Sequence, residues 1–443
     1  MEKPMLGPET TAAVNTKITN YRWIVMAIIF VFYTLTYADR ANIGVVLPYI
    51  QSEFKLSNFE AGSLASLFFI GYAITQIPAG LWYSKFGVRG LISMAVICTS
   101  VFTGLIGTAG SATMIKIYRF GLGLAEGPCP VGACTTINNW FPQKEKGIAT
   151  GIYIAATKFA PVIVPPLTVW IMLAFGWRDV FYLFAAPGLI IALGWRYFVS
   201  NHPEESPFCS ASEAAYIKDV SIVTDAVAIK SERSFGWLDK LIRAKKVTPI
   251  ETNRGVFLSW NMWADTIGYF LMVSIVYGLL TWIPSYLVNA KHFSFMKMGF
   301  LASAPWVGAV LGSLAGGVIS DKLLNKRRKP LMLVSTIATA CMMLALINLP
   351  DDTTTIAVTL LLTGFLLNLG YSGFTVYPMG MTTDKTFPVA IGLINSGGNL
   401  GGFFSPMMAG FLLDAFSYGA VFSFFAICAA LSLVVTLTMD EPI

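Results

Sequence analysis

The sequence predicts an all-α integral membrane protein, with twelve transmembrane helices arranged as two pseudo-symmetric six-helix halves. Three observations predict this fold: an apolar composition, about twelve long apolar segments, and one long polar connection in the middle. Of the 443 residues, 55% are hydrophobic and only 12% are charged. Soluble globular proteins carry about 25% charged residues, so this chain is expected in a lipid bilayer.

A helix that spans a bilayer needs about 20 mostly apolar residues. The apolar segments of this chain favour helices over the short alternating strands of a barrel, because of their length and their Leu, Ala, Ile and Phe content. The predicted segments are residues 23–49, 59–83, 91–108, 112–137, 147–175, 180–199, 254–287, 296–319, 331–348, 353–375, 389–411 and 418–439.

The polar connection between segments six and seven divides the chain. The predicted parts are an N-terminal tail (1–22), a first bundle (23–199), a linker (200–253), a second bundle (254–439) and a C-terminal tail (440–443). Roughly 20 of the 30 basic residues fall on the side shared by the N-terminus, the linker and the 322–329 run. The positive-inside rule therefore predicts a multi-pass protein of the inner (plasma) membrane with both termini in the cytoplasm.

Two similar loops occupy equivalent positions in the two halves. Residues 80–89 read GLWYSKFGVR after segment two, and residues 317–326 read GVISDKLLNK after segment eight. Such an internal repeat is typical of transporters whose binding site lies between two related halves.

The most informative polar residues lie within segments one and four. Asp39 and Arg40 interrupt segment one, and charge at that depth costs about 2.5 to 3.5 kcal/mol on insertion scales. Arg119 and Glu126 are seven residues apart in segment four, so they share a helix face to within about 20°. At 1.5 Å per residue, Asp39, Arg40 and Arg119 are expected at one level, with Glu126 one or two turns deeper. We expect Asp39 to pair with Arg119 when it is ionised.

This cluster has two interpretations. It is either an ion-pair network that only holds helices together, or a site whose charge depends on protonation. With both carboxyls protonated, two guanidinium groups are free to bind an anion; with both ionised, the site is neutral. Proton binding and anion binding would then favour one another, as thermodynamic linkage requires.

Other polar groups in the segments extend the candidate site. Lys158 in segment five and Asp265 in segment seven are predicted at similar depth, as a cross-half pair or as a further charged contact to substrate. Asn395 in segment eleven is either a helix-packing residue or a substrate contact. Segment ten offers neutral hydrogen-bonding residues, which are expected to bind the hydroxyl groups of a hydroxylated substrate: Asn368, Tyr371, Ser372 and Thr375.

The architecture and the repeated loop resemble the major facilitator superfamily. Three stretches, residues 37–40 (YADR), 119–126 (RFGLGLAE) and 140–147 (WFPQKEKG), resemble its anion:cation symporter branch. Members of that branch carry sugar acids such as galactonate, glucarate and hexuronates, and include the sialin-like organic anion carriers. Ser84 replaces the acidic residue usual in the first loop copy, so Asp321, with Lys322, is the better candidate for a gating contact.

The resemblance also implies roles for individual residues. Asp39 and Glu126 would carry protons, and Arg40 or Arg119 would anchor a carboxylate. Tyr37 and Tyr72 would be hydrogen-bond partners of the substrate.

The predicted function is proton-coupled symport of an organic anion, most specifically a sugar acid (an aldonate, uronate or aldarate), by alternating access. The alternative is an exchanger of organic anions or organic phosphates. Enzyme activity is not expected, because His202 and His292 lie outside the segments and no phosphate-binding glycine loop occurs. We expect no cofactor, no metal and no nucleic-acid partner; the expected partners are the carboxylate, protons and the lipid bilayer, and the expected state is a monomer.

Overall fold

The structure, a computed structural model, describes residues 19–218, 236–325, 327–383 and 385–442. Most of the predicted N-terminal tail and residues 219–235 of the predicted linker therefore lie outside the described residues. The described chain is almost entirely helical, because backbone N–H and C=O groups inside a bilayer must be paired within their own segment.

The prediction of twelve membrane-crossing helices is confirmed. Three of these twelve membrane-crossing segments consist of two consecutive helical pieces, and short helices occupy the linker. The helices are α1 (Tyr21–Phe54), α2 (Asn58–Phe86), α3 (Val88–Thr108), α4 (Ala112–Glu126) with α5 (Cys129–Trp140), α6 (Gln143–Phe175), α7 (Trp177–Phe198), α8 (Ala211–Lys218), α9 (Trp237–Leu241), α10 (Asn253–Leu258), α11 (Trp260–Asn289), α12 (Phe295–Val318) with a π turn (Ile319–Leu323), α13 (Lys329–Ile347), α14 (Thr353–Leu369) with α15 (Tyr371–Met381), α16 (Phe387–Ala415) and α17 (Tyr418–Thr438).

By length and composition alone, nine helices in the described part of the chain are both long and apolar enough to cross a membrane. The other three membrane-crossing segments are α2, α4 with α5, and α16. Neither α4 nor α5 alone is long enough to cross a membrane, because Gly127 and Pro128 break the helix directly after Glu126. A Cβ atom at Gly127 would lie 2.4 Å from the main-chain oxygen of Tyr72, so only glycine allows α2 to approach this closely. The close approach of Gly127 to α2 places the preceding residue, Glu126, beside α2.

The two halves contact each other through α2 with α16, α6 with α12, and α1 with α11. We call the end of the bundle that carries residues 19–21 and 438–442 the termini end, and the opposite end the distal end. At the distal end, Asp414 of α16 accepts hydrogen bonds from the main-chain N–H groups of Asn58 and Phe59, both at 2.8 Å. This carboxylate caps the N-terminus of α2, where the helix dipole favours negative charge.

The segments around the linker are tied to one half each. Glu213 of α8 is fully buried and accepts hydrogen bonds from the main-chain N–H of Tyr21 at 2.8 Å and from Arg22 Nη1 at 2.9 Å. In the other half, strand β1 (Ala244–Lys245) pairs in parallel with strand β2 (Glu441–Pro442).

The second copy of the repeated loop forms a local contact. Asp321 makes an ion pair with Arg328 Nη2 at 2.9 Å, within the same half, and Lys322 is exposed. A gating role for Asp321 and Lys322 stays a prediction.

Candidate functional site

Arg40 lies at the centre of the bundle and links the two halves. Its Nε donates a hydrogen bond to Glu126 Oε1 at 3.0 Å, and its Nη2 contacts the same oxygen. Its Nη1 donates to the hydroxyl of Tyr277 in α11 at 2.9 Å. Arg40 and Glu126 are 5% and 1% exposed, so this ion pair is almost completely shielded from solvent.

Aromatic rings surround the Arg40 guanidinium. Its central carbon lies 4.4 Å from the ring centre of Tyr37, 4.7 Å from that of Tyr72 and 5.0 Å from that of Phe68. Cation–π contacts of this kind stabilise a desolvated cation by roughly 2 kcal/mol or more. Tyr37 and Tyr72 were predicted at the site, whereas Phe68 and Tyr277 were not. Phe68 stands four residues before Tyr72, so helical spacing could have identified it; Tyr277 carries no local signal.

The predicted ion pair between Asp39 and Arg119 is wrong for this conformation. Arg119 Nη1 donates to the main-chain oxygen of Asp39 at 3.1 Å, and its Nε donates to the main-chain oxygen of Leu64 at 3.1 Å. The Asp39 carboxylate accepts a hydrogen bond from Thr103 of α3 at 2.8 Å. Neighbouring residues point about 100° apart on a helix, so Asp39 faces α3 while Arg40 faces Glu126.

The predicted depths also need correction. Helix α1 continues to Phe54, beyond the predicted end of segment one at Tyr49. Arg40 is therefore about 21 Å from the distal end of its helix, whereas Arg119, whose level it was expected to share, is about 10 Å from the distal end of α4. This longer helix brings Arg40 to the level of Glu126 instead of that of Arg119.

The two carboxylate oxygens of Glu126 have different surroundings. Oε1 accepts both contacts from Arg40. Oε2 is buried and has no hydrogen-bond partner in the part of the chain that the structure describes. A proton on Oε2 would therefore break no existing hydrogen bond, but it would remove the charge that holds Arg40.

Lys158 forms a second link between the halves. Its Nζ donates to Asn368 Oδ1 of α14 at 2.8 Å and lies 4.8 Å from the ring centre of Tyr371. The predicted pair of Lys158 with Asp265 is not formed. Asp265 is fully buried, and among the described residues neither of its carboxylate oxygens has a hydrogen-bond partner.

A difference in depth explains this correction. Helix α11 begins at Trp260, six residues after the predicted start of segment seven, so Asp265 lies only five residues from the beginning of its helix rather than near the middle. Asp265 then lies about 36 Å from the distal end of α11, whereas Lys158 lies about 26 Å from the distal end of α6. The assumption of similar depth was wrong by about 10 Å.

The last two predicted binding residues lie apart from this centre. Asn395 is partly exposed on α16, one turn from Asn399, which donates to Gln76 Oε1 in the other half at 2.9 Å. Ser372 lines a small cavity with Ser320 and Arg328, within the second half. Substrate contacts by Asn395 and Ser372 stay predictions.

The arrangement as a whole can bind an anion. Two cations of the first half, Arg40 and Lys158, each donate to a neutral group of the second half. Arg40 has a carboxylate partner, Glu126. For Lys158, no carboxylate lies within ion-pair distance in the described ranges.

The sequence model of the Major Facilitator Superfamily matches residues 29–386 and 327–443. The chain is 29% identical to the probable galactarate/D-glucarate transporter GudP of Bacillus subtilis, over 90% of this chain and 87% of that protein. It is 28% identical to the probable galactarate/D-glucarate transporter GarP of Escherichia coli K12, over 93% of each chain. With the hexuronate transporter of Bacillus subtilis it shares 26% identity, over 88% of this chain and 87% of that protein.

Two solved structures have a similar fold. A bacterial homolog of the human lysosomal transporter Spinster, in an inward-facing and occupied conformation, gives a TM-score of 0.71 at 19% identity, covering 94% of each chain. The xylose transporter XylE of E. coli, in a partially occluded inward-open conformation, gives a TM-score of 0.72 at 16% identity, covering 95% of this chain and 98% of that one.

Proposed function

Because the chain belongs to the major facilitator superfamily and is a membrane transporter rather than an enzyme, we propose that it carries a sugar acid together with protons, by alternating access. The observation that carries this proposal is the buried contact between Arg40 and Glu126. The galactarate, glucarate and hexuronate transporters among its relatives support the substrate class.

Glu126 and a substrate carboxylate compete for the same guanidinium group. Ionised Glu126 occupies Nε and Nη2 of Arg40, which are two of the donors that bind a carboxylate bidentately. Protonation of Glu126 removes its charge and frees these donors for the substrate. By linkage, a proton bound at Glu126 strengthens anion binding by the same factor by which the anion strengthens proton binding.

The neighbouring residues have different roles in this proposal. Tyr37, Tyr72 and Tyr277 surround Arg40 and supply hydroxyl groups for a hydroxylated substrate. Asp39 is the second proton carrier, on the side of α1 that faces Thr103. Arg119 is tied to main-chain oxygens, so it positions α1 against α2 and is not the carboxylate anchor.

The two ends of the bundle correspond to the two sides of the membrane. The basic residues of the linker and of residues 322–329 support a cytoplasmic termini end, in the inner membrane. The Asp414 cap on α2 holds the halves together at the distal end. This conformation would therefore be closed on the outside, and transport would require these distal contacts to open while the halves rock about the central site.

Uptake by the purified protein in liposomes tests the proposal. Labelled galactarate, glucarate, galactonate and a hexuronate are supplied outside, with the interior more alkaline than the exterior. We expect at least one of them to accumulate above its external concentration, and a protonophore to abolish accumulation. The exchanger alternative predicts accumulation only with a counter-anion inside, no effect of the protonophore, and competition by phosphate esters.

A further inference from the structure

We propose that Lys158 binds the second carboxylate of a dicarboxylated sugar acid, so that the carrier prefers aldarates to aldonates and uronates. This inference rests on the proposed function, since Arg40 binds the first carboxylate. It adds the substrate class, and it assigns the residue that distinguishes a dianion from a monoanion.

Lys158 places a positive charge in the membrane beside neutral groups. Lys158 lies in a membrane-crossing helix, where a lysine near the centre costs about 2.5 to 3.5 kcal/mol. Its contacts are the neutral oxygen of Asn368 and the ring of Tyr371. The two arginines of the site have more partners: Arg40 pairs with Glu126, and Arg119 donates to three main-chain oxygens. Lys158 is therefore suited to a charged ligand.

Lys158 lies at nearly the same depth as Arg40, on a neighbouring helix. Helices α1 and α6 pack side by side, with Tyr33 and Tyr153 in ring contact at 4.4 Å. Counted from the distal ends of their helices, Arg40 is about 21 Å deep and Lys158 about 26 Å deep, within one helical turn. Packed helix axes are about 8 to 10 Å apart, so the two cations lie in one layer on neighbouring helices. A six-carbon dicarboxylate, whose charges are at its two ends, has one carboxylate for each of these cations.

Tyrosines of the second half lie beside both cations. Tyr277 accepts a hydrogen bond from Arg40, and the ring centre of Tyr371 lies 4.8 Å from Lys158 Nζ. Their hydroxyl groups can hydrogen-bond the hydroxyl groups of the carbon chain that joins two carboxylates.

Asn368 explains how Lys158 is held without substrate. Its Nδ2 donates to the main-chain oxygen of Gly364 at 3.0 Å, which turns Oδ1 towards Lys158. Asn368 belongs to the second half. A dicarboxylate would therefore replace the cross-half hydrogen bond from Lys158 to Asn368 as well as the Glu126 contact of Arg40, whereas a monocarboxylate would replace only the Glu126 contact.

Two substitutions and a charge-preserving control test this assignment. Lys158→Gln removes the charge at similar length, Lys158→Arg keeps it, and Asn368→Asp places a carboxylate opposite Lys158. Affinities for galactarate and galactonate are measured by competition against a labelled substrate in detergent and by exchange in liposomes. A thermal unfolding curve for each variant checks that it is folded.

In the unmodified protein we expect galactarate to bind more tightly than galactonate. Both Lys158→Gln and Asn368→Asp should lower the ratio of the two affinities by roughly ten- to a hundredfold, the range for one hydrogen bond to a charged group. Lys158→Arg should keep most of this ratio. Equal losses for both ligands in the folded Lys158→Gln variant, or no preference for galactarate in the unmodified protein, would overturn the inference. The proposed function would still stand if monocarboxylates were carried with protons, and it would fail only if no sugar acid were.

Discussion

Replacing Glu126 with glutamine isolates the charge that controls Arg40. Glutamine has nearly the same shape and retains an oxygen that can accept from Arg40. It cannot ionise, so it competes only weakly with a substrate carboxylate at any pH. In the unmodified protein, ionised Glu126 holds Nε and Nη2 of Arg40, and a substrate must displace it.

The expected size of the effect follows from linkage. If substrate binds only when Glu126 is protonated, the Kd rises tenfold for each pH unit above the titration of Glu126. Two pH units then correspond to a hundredfold change, or about 2.7 kcal/mol of binding free energy. A second obligatory proton at Asp39 would make the slope of log Kd against pH approach two. The Glu126→Gln variant should lower the slope of log Kd against pH by about one. At alkaline pH it should bind substrate more tightly than the unmodified protein.

The assay is the Kd for galactarate between pH 5.5 and 8.5, with uptake and exchange measured on the same variant in liposomes. We expect Glu126→Gln to abolish accumulation driven by a pH gradient and to preserve exchange. The matched control is Glu60→Gln, which removes an exposed carboxylate from the first turn of α2 and should leave the slope intact. If Glu126→Gln keeps the unmodified slope, or still concentrates substrate up a pH gradient, Glu126 does not control Arg40.

Three further predictions concern other parts of the molecule. Asp39→Asn keeps an oxygen for Thr103 but removes a titratable group, so it should lower the slope of log Kd against pH by about one, measured in the same binding assay. Gly410→Leu should prevent closure of the distal end, because a Cβ atom there would lie 2.2 Å from the main-chain oxygen of Asn58; transport should fall to background while labelling of a distal-end cysteine probe increases. Burial raises the pKa of the Glu441 carboxyl from 4.5 to about 7, so docking of β2 is strongest below pH 4.5 and weakens as the pH rises to about 7, by about 3 kcal/mol at most. Hydrogen exchange of residues 436–442, corrected for intrinsic rates, should show this dependence, and Glu441→Gln should remove it.

Hydropathy alone predicted the helices closely, because the bilayer dictates their length and composition. Segment two was expected at residues 59–83 and is observed at Asn58–Phe86. The ends were less predictable, since helices continue into the interfacial region after the apolar stretch finishes. Small errors at the ends matter: five extra residues in α1 and a later start of α11 changed the expected depths of Arg40 and Asp265.

The candidate site was predicted in composition but not in pairing. Helical spacing places Arg119 and Glu126 on one face, yet it does not give the rotation of segment one relative to segment four. In the structure Arg40 pairs with Glu126, and Asp39 accepts a hydrogen bond from Thr103. Helical spacing predicted neither contact. Tyr277 comes from a helix more than 200 residues away in the chain, and no local pattern distinguishes it. Contacts between halves depend on how two bundles dock, which a single sequence does not specify.

Proton movement during substrate uptake tests the coupling of protons to sugar-acid transport directly. Liposomes containing the protein and a trapped pH-sensitive dye receive external galactarate, with no initial pH gradient and with the membrane potential clamped. We expect acidification of the interior as galactarate enters through the unmodified protein, and none with Glu126→Gln, although that variant still exchanges labelled galactarate. Uptake of galactarate by the unmodified protein without any acidification would show that transport is not coupled to protons.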